Sequence, residues 1–146
     1  MDKNNIIEII RGGKVIKTVN GFDALDDAID PILEEFRNNK NWDEISGEYS
    51  SNYGFNVFLN KNNLSTETIA WRSRYDFKDS AGNYVYHDTM LTSNYGVKVW
   101  LREHPYSDKW LYVEDIRGSR NDITPKIIAQ KYTMDRSSVM FNEIIS

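Results

Sequence analysis

The placement of aromatic residues constrains this chain more than any other feature. Of its 19 Phe, Trp and Tyr residues, 15 fall between Trp42 and Tyr112, and most of these sit at alternating positions. Successive side chains of a β-strand point to opposite faces, so this alternation writes a half-buried antiparallel sheet. Tyr53, Phe55, Val57 and Leu59 alternate, as do Ile69, Trp71, Ser73, Tyr75 and Phe77 against Ala70, Arg72, Arg74 and Asp76. Segments 84–91, 95–103 and 109–116 continue the pattern, separated by short turn-forming tracts such as Asn60-Lys61-Asn62-Asn63. Strands joined by short turns make an antiparallel meander of about five strands the simplest topology.

The flanks read differently. Ile6 to Ile10 and Lys14 to Val19 are β-branched runs joined through Gly12-Gly13, which supplies the positive φ angles of a tight hairpin. Leu25, Ala28, Ile29, Ile32, Leu33 and Phe36 then recur at helical spacing, with Asp23 placed to cap. Pro31 interrupts that stripe without changing its phase, so either a kink or a fresh start capped by Asp30 is expected. At the other end, Thr124 and Pro125 open a helix carrying Ile127 and Ile128. Thr133-Met134 reads as a turn, and Asp135 caps a second helix lined by Val139, Phe141 and Ile144. In spacing, residues 124–145 resemble a helix-turn-helix, although Thr133 stands where glycine is usual. That resemblance implies DNA binding; the plainer alternative is two amphipathic helices packed on the sheet. The expected fold is therefore α+β: an N-terminal β-hairpin and helix, an antiparallel meander and a short helical C-terminus, as a single globular domain over 1–146.

Composition excludes several chemistries. The absence of cysteine removes disulfides, thiolate metal sites and cysteine nucleophiles. The opening MDKNNIIEIIRGGK has too short an apolar run for a secretory or membrane segment, so a soluble cytoplasmic protein is expected. Asn, Lys, Ile and Tyr, all with AT-rich codons, make up a third of the chain, which suits a phage or mobile-element source. The net charge of −4 is uneven: residues 1–50 hold 11 acids against 6 bases, whereas the remainder is nearly balanced. A basic nucleic-acid coat is not what this chain offers.

Two surfaces invite a partner. If Trp71, Tyr75, Phe77, Val97, Val99 and Leu101 face the core, strand parity sends Arg72, Arg74, Lys98, Trp100 and Arg102 to an open face, with Tyr84 and Tyr86 beside them. Such a face suits phosphate, a flipped base or an acidic protein patch; the plainer alternative is cross-strand cation–π pairing within the sheet. The second surface is the acidic side of the first helix, Asp26, Asp27, Asp30 and Glu34, which is either a solvated face or a patch that docks on a basic protein.

Catalytic signals are thin. His87 sits on an expected strand beside Asp88, and His104 in a loop beside Glu103; a hydrolase or nuclease would need the two to converge. Phosphate-binding loops, nucleophile elbows, zinc-protease motifs and dinucleotide glycines are all missing from the sequence. The expectation is a non-catalytic protein without metal or cofactor. It engages and inhibits or regulates a host protein or protein–nucleic acid complex. Direct DNA binding is the runner-up, and a homodimer is expected through the strands 53–59 or 109–116 as sheet edges.

Overall fold

In the computed structural model, residues 6–104 and 110–136 are described, and their contacts divide between two compact units that meet in sequence at Ser73 and Arg74. The fold class is the α+β arrangement expected, with its strands distributed over two sheets.

In the first unit Gly12 and Gly13 take φ of 60° and 77°, and β1 (Ile6–Arg11) turns directly into β2 (Lys14–Asn20). Helix α1 (Phe22–Arg37) comes next. Its N-cap is Gly21, and Asp23 sits in the first turn without capping; the helix runs unbroken through Pro31. β3 (Trp42–Tyr49), β4 (Tyr53–Asn60) and β5 (Thr66–Lys78) complete the sheet, in the order β2-β1-β5-β4-β3. Sequence reading missed β3 because WDEISGEY carries three acids and a glycine. It is an edge strand, nearly all exposed, held by pairing with β4 rather than by burial.

The apolar stripe of α1, Leu25, Ile29, Leu33 and Phe36, packs on Ile7, Ile9, Phe58, Ile69 and Trp71. Register assigns the other side: Gly54 stands opposite Trp71 and Phe55 opposite Ala70. Tyr53 and Phe55 therefore do not share a core with Trp71; they pack with Ile10 and Ala70 on the reverse face. The core residue of β4 is Phe58, fully buried and stacked on Phe36 at 4.7 Å between centroids.

In the second unit the end of β5 pairs with β6 (Tyr84–Tyr86), Arg74 opposite Tyr86 and Lys78 opposite Tyr84. β7 (Met90–Ser93), β8 (Lys98–Glu103), β9 (Leu111–Glu114) and β10 (Arg120–Asp122) form an antiparallel meander. Leu91, Val99, Leu101, Leu111 and Val113 are its buried residues. Helix α2 (Pro125–Lys131) is capped as expected by Thr124, whose hydroxyl accepts from the Ile127 amide at 3.3 Å.

The segment after α2 overturns the helix-turn-helix geometry. Tyr132–Met134 is a strand, β11, paired antiparallel with β7 where the motif needs its turn. Asp79 fixes it there: the buried carboxylate accepts from the Ala81 and Asn83 amides at 2.9 Å and from the Met134 amide at 2.8 Å. The expected second helix falls on 137–145, outside the described residues. The expected dimer edges are corrected too: β4 lies between β3 and β5, and β9 between β8 and β10, so neither strand is free to pair.

Candidate functional site

The basic-aromatic face expected from strand parity divides on burial. Arg72 is 9% exposed and Arg74 8%, because β5 is buried on both faces from Ile69 to Tyr75. The Arg72 guanidinium meets the buried Glu8 carboxylate at 3.0 Å through both Nε and Nη2. Arg74 donates to the Tyr75 carbonyl at 3.0 Å and stacks 3.7 Å from the Tyr84 centroid. Neither belongs to an open face. Parity alone misplaced them because it presumes that one face of the strand is wet.

Lys98, Trp100 and Arg102 do project outward from β8, alternating with buried Val99 and Leu101, whereas Val97, expected in the core, precedes the strand and is exposed. The face they form neutralises itself: Lys98 pairs with Asp135 at 3.2 Å, Arg102 with Glu114 at 3.8 Å and Arg120 with Glu114 at 2.9 Å. Arg102 also lies 5.3 Å from the Trp100 ring centroid. This is the cross-strand stabilisation weighed from sequence as the plainer alternative. Tyr86 is buried, and it lines with Tyr84 a pocket of about 320 Å³ that has Lys78, Asn83 and Arg136 at its polar side.

The two histidines have different neighbours. His87 lies just beyond β6, not on a strand, with its ring 4.1 Å from Tyr75, and Asp88 beside it adopts a positive φ of 59°. His104 pairs through Nε2 with Asp122 at 2.9 Å, which the pairing of β9 with β10 brings across. Among the described residues, no group of three or more His, Asp and Glu side chains is placed to hold a metal ion, and no helix is long and apolar enough to cross a membrane.

Helix α1 presents the opposite situation. Asp23, Asp26, Asp27, Asp30 and Glu34 recur at spacings of three and four, which places them along one flank of the helix. All are exposed, and none belongs to an ion pair among the described residues. Glu35, off this row, is the helix acid that forms an ion pair among the described residues, with Arg11 at 3.9 Å.

Beside this flank, α1 and the sheet enclose a cleft of about 560 Å³ that sequence reading did not find. Leu25, Ile29 and Leu33 supply its apolar floor, Phe22, Tyr49 and Trp71 its rings, and Asp26 and Asp30 its charge. Phe22 meets Trp71 edge-on, 6.0 Å between centroids at 80°. Gly54 lets the rings settle: a Cβ there would stand 2.5 Å from Trp71 Nε1 and 2.8 Å from Tyr49 Cδ1. Arg37 closes one end, its guanidinium held in a two-pronged pair with Glu44 at 2.9 Å for each contact. Hydrogen bonding to Arg37, aided by Asn56, holds the Glu44 carboxyl below the usual carboxylate range, and Glu44 in turn raises Arg37. The cleft's own cation is thereby neutralised, whereas Asp26 and Asp30 are not. The cleft was illegible in sequence because Phe22, Tyr49 and Trp71 come from three elements; Gly54, a glycine inside an aromatic strand, was its only local signal.

Compared with known protein families, with characterised proteins and with solved structures, the chain matches none.

Proposed function

We propose that this chain is a small non-catalytic binding protein that engages a basic surface on a macromolecular partner through α1, and inhibits or regulates that partner by occupying the surface. The observation that carries the reading is the row of exposed carboxylates on α1, Asp23, Asp26, Asp27, Asp30 and Glu34, which no cation within the described residues offsets. A partner that brings cations to this flank gains Coulomb attraction without breaking an existing ion pair, and like charges at helical spacing are relieved at the same time. The cations of β8 already have carboxylate partners, so a ligand there must displace them. A host protein or protein–nucleic acid complex in the cytoplasm supplies such a basic surface, and the AT-rich composition suits a phage or mobile-element origin.

The test replaces Asp26, Asp27 and Asp30 with Asn and Glu34 with Gln together. Affinity capture from the host with wild type and variant side by side, at low and at moderate salt, is expected to lose its basic proteins in the variant and at moderate salt. Capture of the same proteins by the variant would remove α1 from the reading.

Direct nucleic-acid contact is a second reading because Lys78 and Arg136 line the Tyr84 pocket, where no carboxylate lines the wall. Binding of random duplex or single strands that weakens steeply with salt favours it.

A further inference from the structure

We propose that the cleft between α1 and the sheet is a receptor for one basic side chain, a lysine or arginine presented by a flexible segment of the protein partner. This rests on the reading of α1 as the partner-binding element and narrows it to a pocket and a side-chain chemistry. The faces of aromatic rings carry negative potential, and a cation among several rings is favoured further by nearby carboxylates. The cleft assembles both: Phe22, Tyr49 and Trp71 line it, and Asp26 and Asp30 line the same space. Phe22 and Tyr49 are exposed, while Trp71 is almost wholly buried beneath them, so the box opens to solvent and has a fixed back wall.

Two features make the occupant a cation with an apolar stem. The floor of Leu25, Ile29 and Leu33 matches the methylenes of a lysine or arginine, which bury their stems and keep the charged head among polar groups. The chain already places one such side chain here: Arg37 lines one end of the cleft, balanced by Glu44 at 2.9 Å. Asp26 and Asp30 have no comparable partner among the described residues, so the charge left to satisfy is positive. A volume of about 560 Å³ exceeds what one side chain needs and leaves room for the backbone that carries it.

Calorimetry and amide-plus-indole NMR with short lysine-rich and arginine-rich peptides test this, against a peptide of the same length with norleucine replacing every basic residue. The expected result is binding of the basic peptides alone, with the largest shift at the Trp71 indole. Asp26→Asn with Asp30→Asn is expected to weaken binding about tenfold. Asp27→Asn with Glu34→Gln, which removes the same charge from the helix outside the cleft, should weaken it only about twofold, through lost long-range attraction. Tyr49→Leu, which keeps apolar bulk and removes the ring, should weaken binding about threefold with the melting temperature little changed. Equal loss in the two carboxylate pairs overturns the cleft while leaving the acidic helix as the binding element. Equal binding of the norleucine peptide overturns the cation preference. If no basic peptide binds, the cleft falls, and the α1 reading falls with it only if capture from the host is also unchanged by the α1 carboxylate variant.

Discussion

Arg72 shows how far a single side chain can depart from the face that strand alternation assigns to it. Parity is right that Arg72 points away from Trp71, but the reverse face of β5 is dry, and the guanidinium finds Glu8 of β1 there. Charges withdrawn from water are tolerated only when paired, and removing one member leaves the other buried and uncompensated. Arg72→Ala is accordingly expected to destabilise the protein by about 3–5 kcal/mol in denaturant unfolding. Replacing the pair together, Arg72→Met with Glu8→Leu, should cost much less than the single change. An Arg72→Ala variant within about 1 kcal/mol of wild type, the value of a surface pair, would show that the ion pair is solvated. Glu8 carried no sequence signal as the partner. They stand 64 positions apart, a gap bridged only by the placement of β1 beside β5.

At the scale of elements, several local signals were obeyed and others were not: Asp23 does not cap α1, Pro31 does not restart it, and Thr133-Met134 lies in a strand. The Gly12-Gly13 hairpin, the stripe of α1 and the Thr124 cap with Pro125 all form where periodicity and capping chemistry put them. Strands without an alternating apolar pattern were missed: β3 and β11 exist because β4 and β7 offer unpaired edges. The bridge from α1 to β3 through Arg37 and Glu44 gives this scale its prediction. A carboxyl whose pKa is lowered in the folded state adds stability above its unfolded value and loses it as pH falls through the folded value. Since Glu44 is depressed by Arg37, its contribution is complete above the ordinary glutamate value of 4.5 and is lost as pH falls below it through the lowered folded-state value. Glu44→Gln should therefore melt below wild type at neutral pH, with the gap closing in acid. A gap that widened on acidification would contradict the assigned direction.

For the molecule as a whole, the two units have separate sets of fully buried side chains: Ile7, Ile9, Phe58 and Ile69 in one, Val85, Leu91, Leu111 and Ile128 in the other. Amide exchange tracks such burial, because opening these positions exposes the most apolar surface. The slowest amides are expected on β1, β4 and β5 and on β7 and β9, with the exposed Ile16 and Ile45 exchanging early. Slow exchange at Ile16 and Ile45 would mean that their edge strands are covered in solution. The sequence by itself determined the α+β class, the hairpin, the amphipathic helix with its acidic flank, the parity of β8 and the improbability of thiol or nucleotide-loop chemistry. Each of these depends on residue type and spacing along a few turns or one strand. Only the tertiary structure decided which faces are dry, that the strands form two sheets, that Arg72 meets Glu8 and that Phe22, Tyr49, Trp71 and two aspartates enclose one cleft. Those outcomes depend on which strand lies beside which, and the free energy that settles it comes from burial and pairing between residues far apart in sequence.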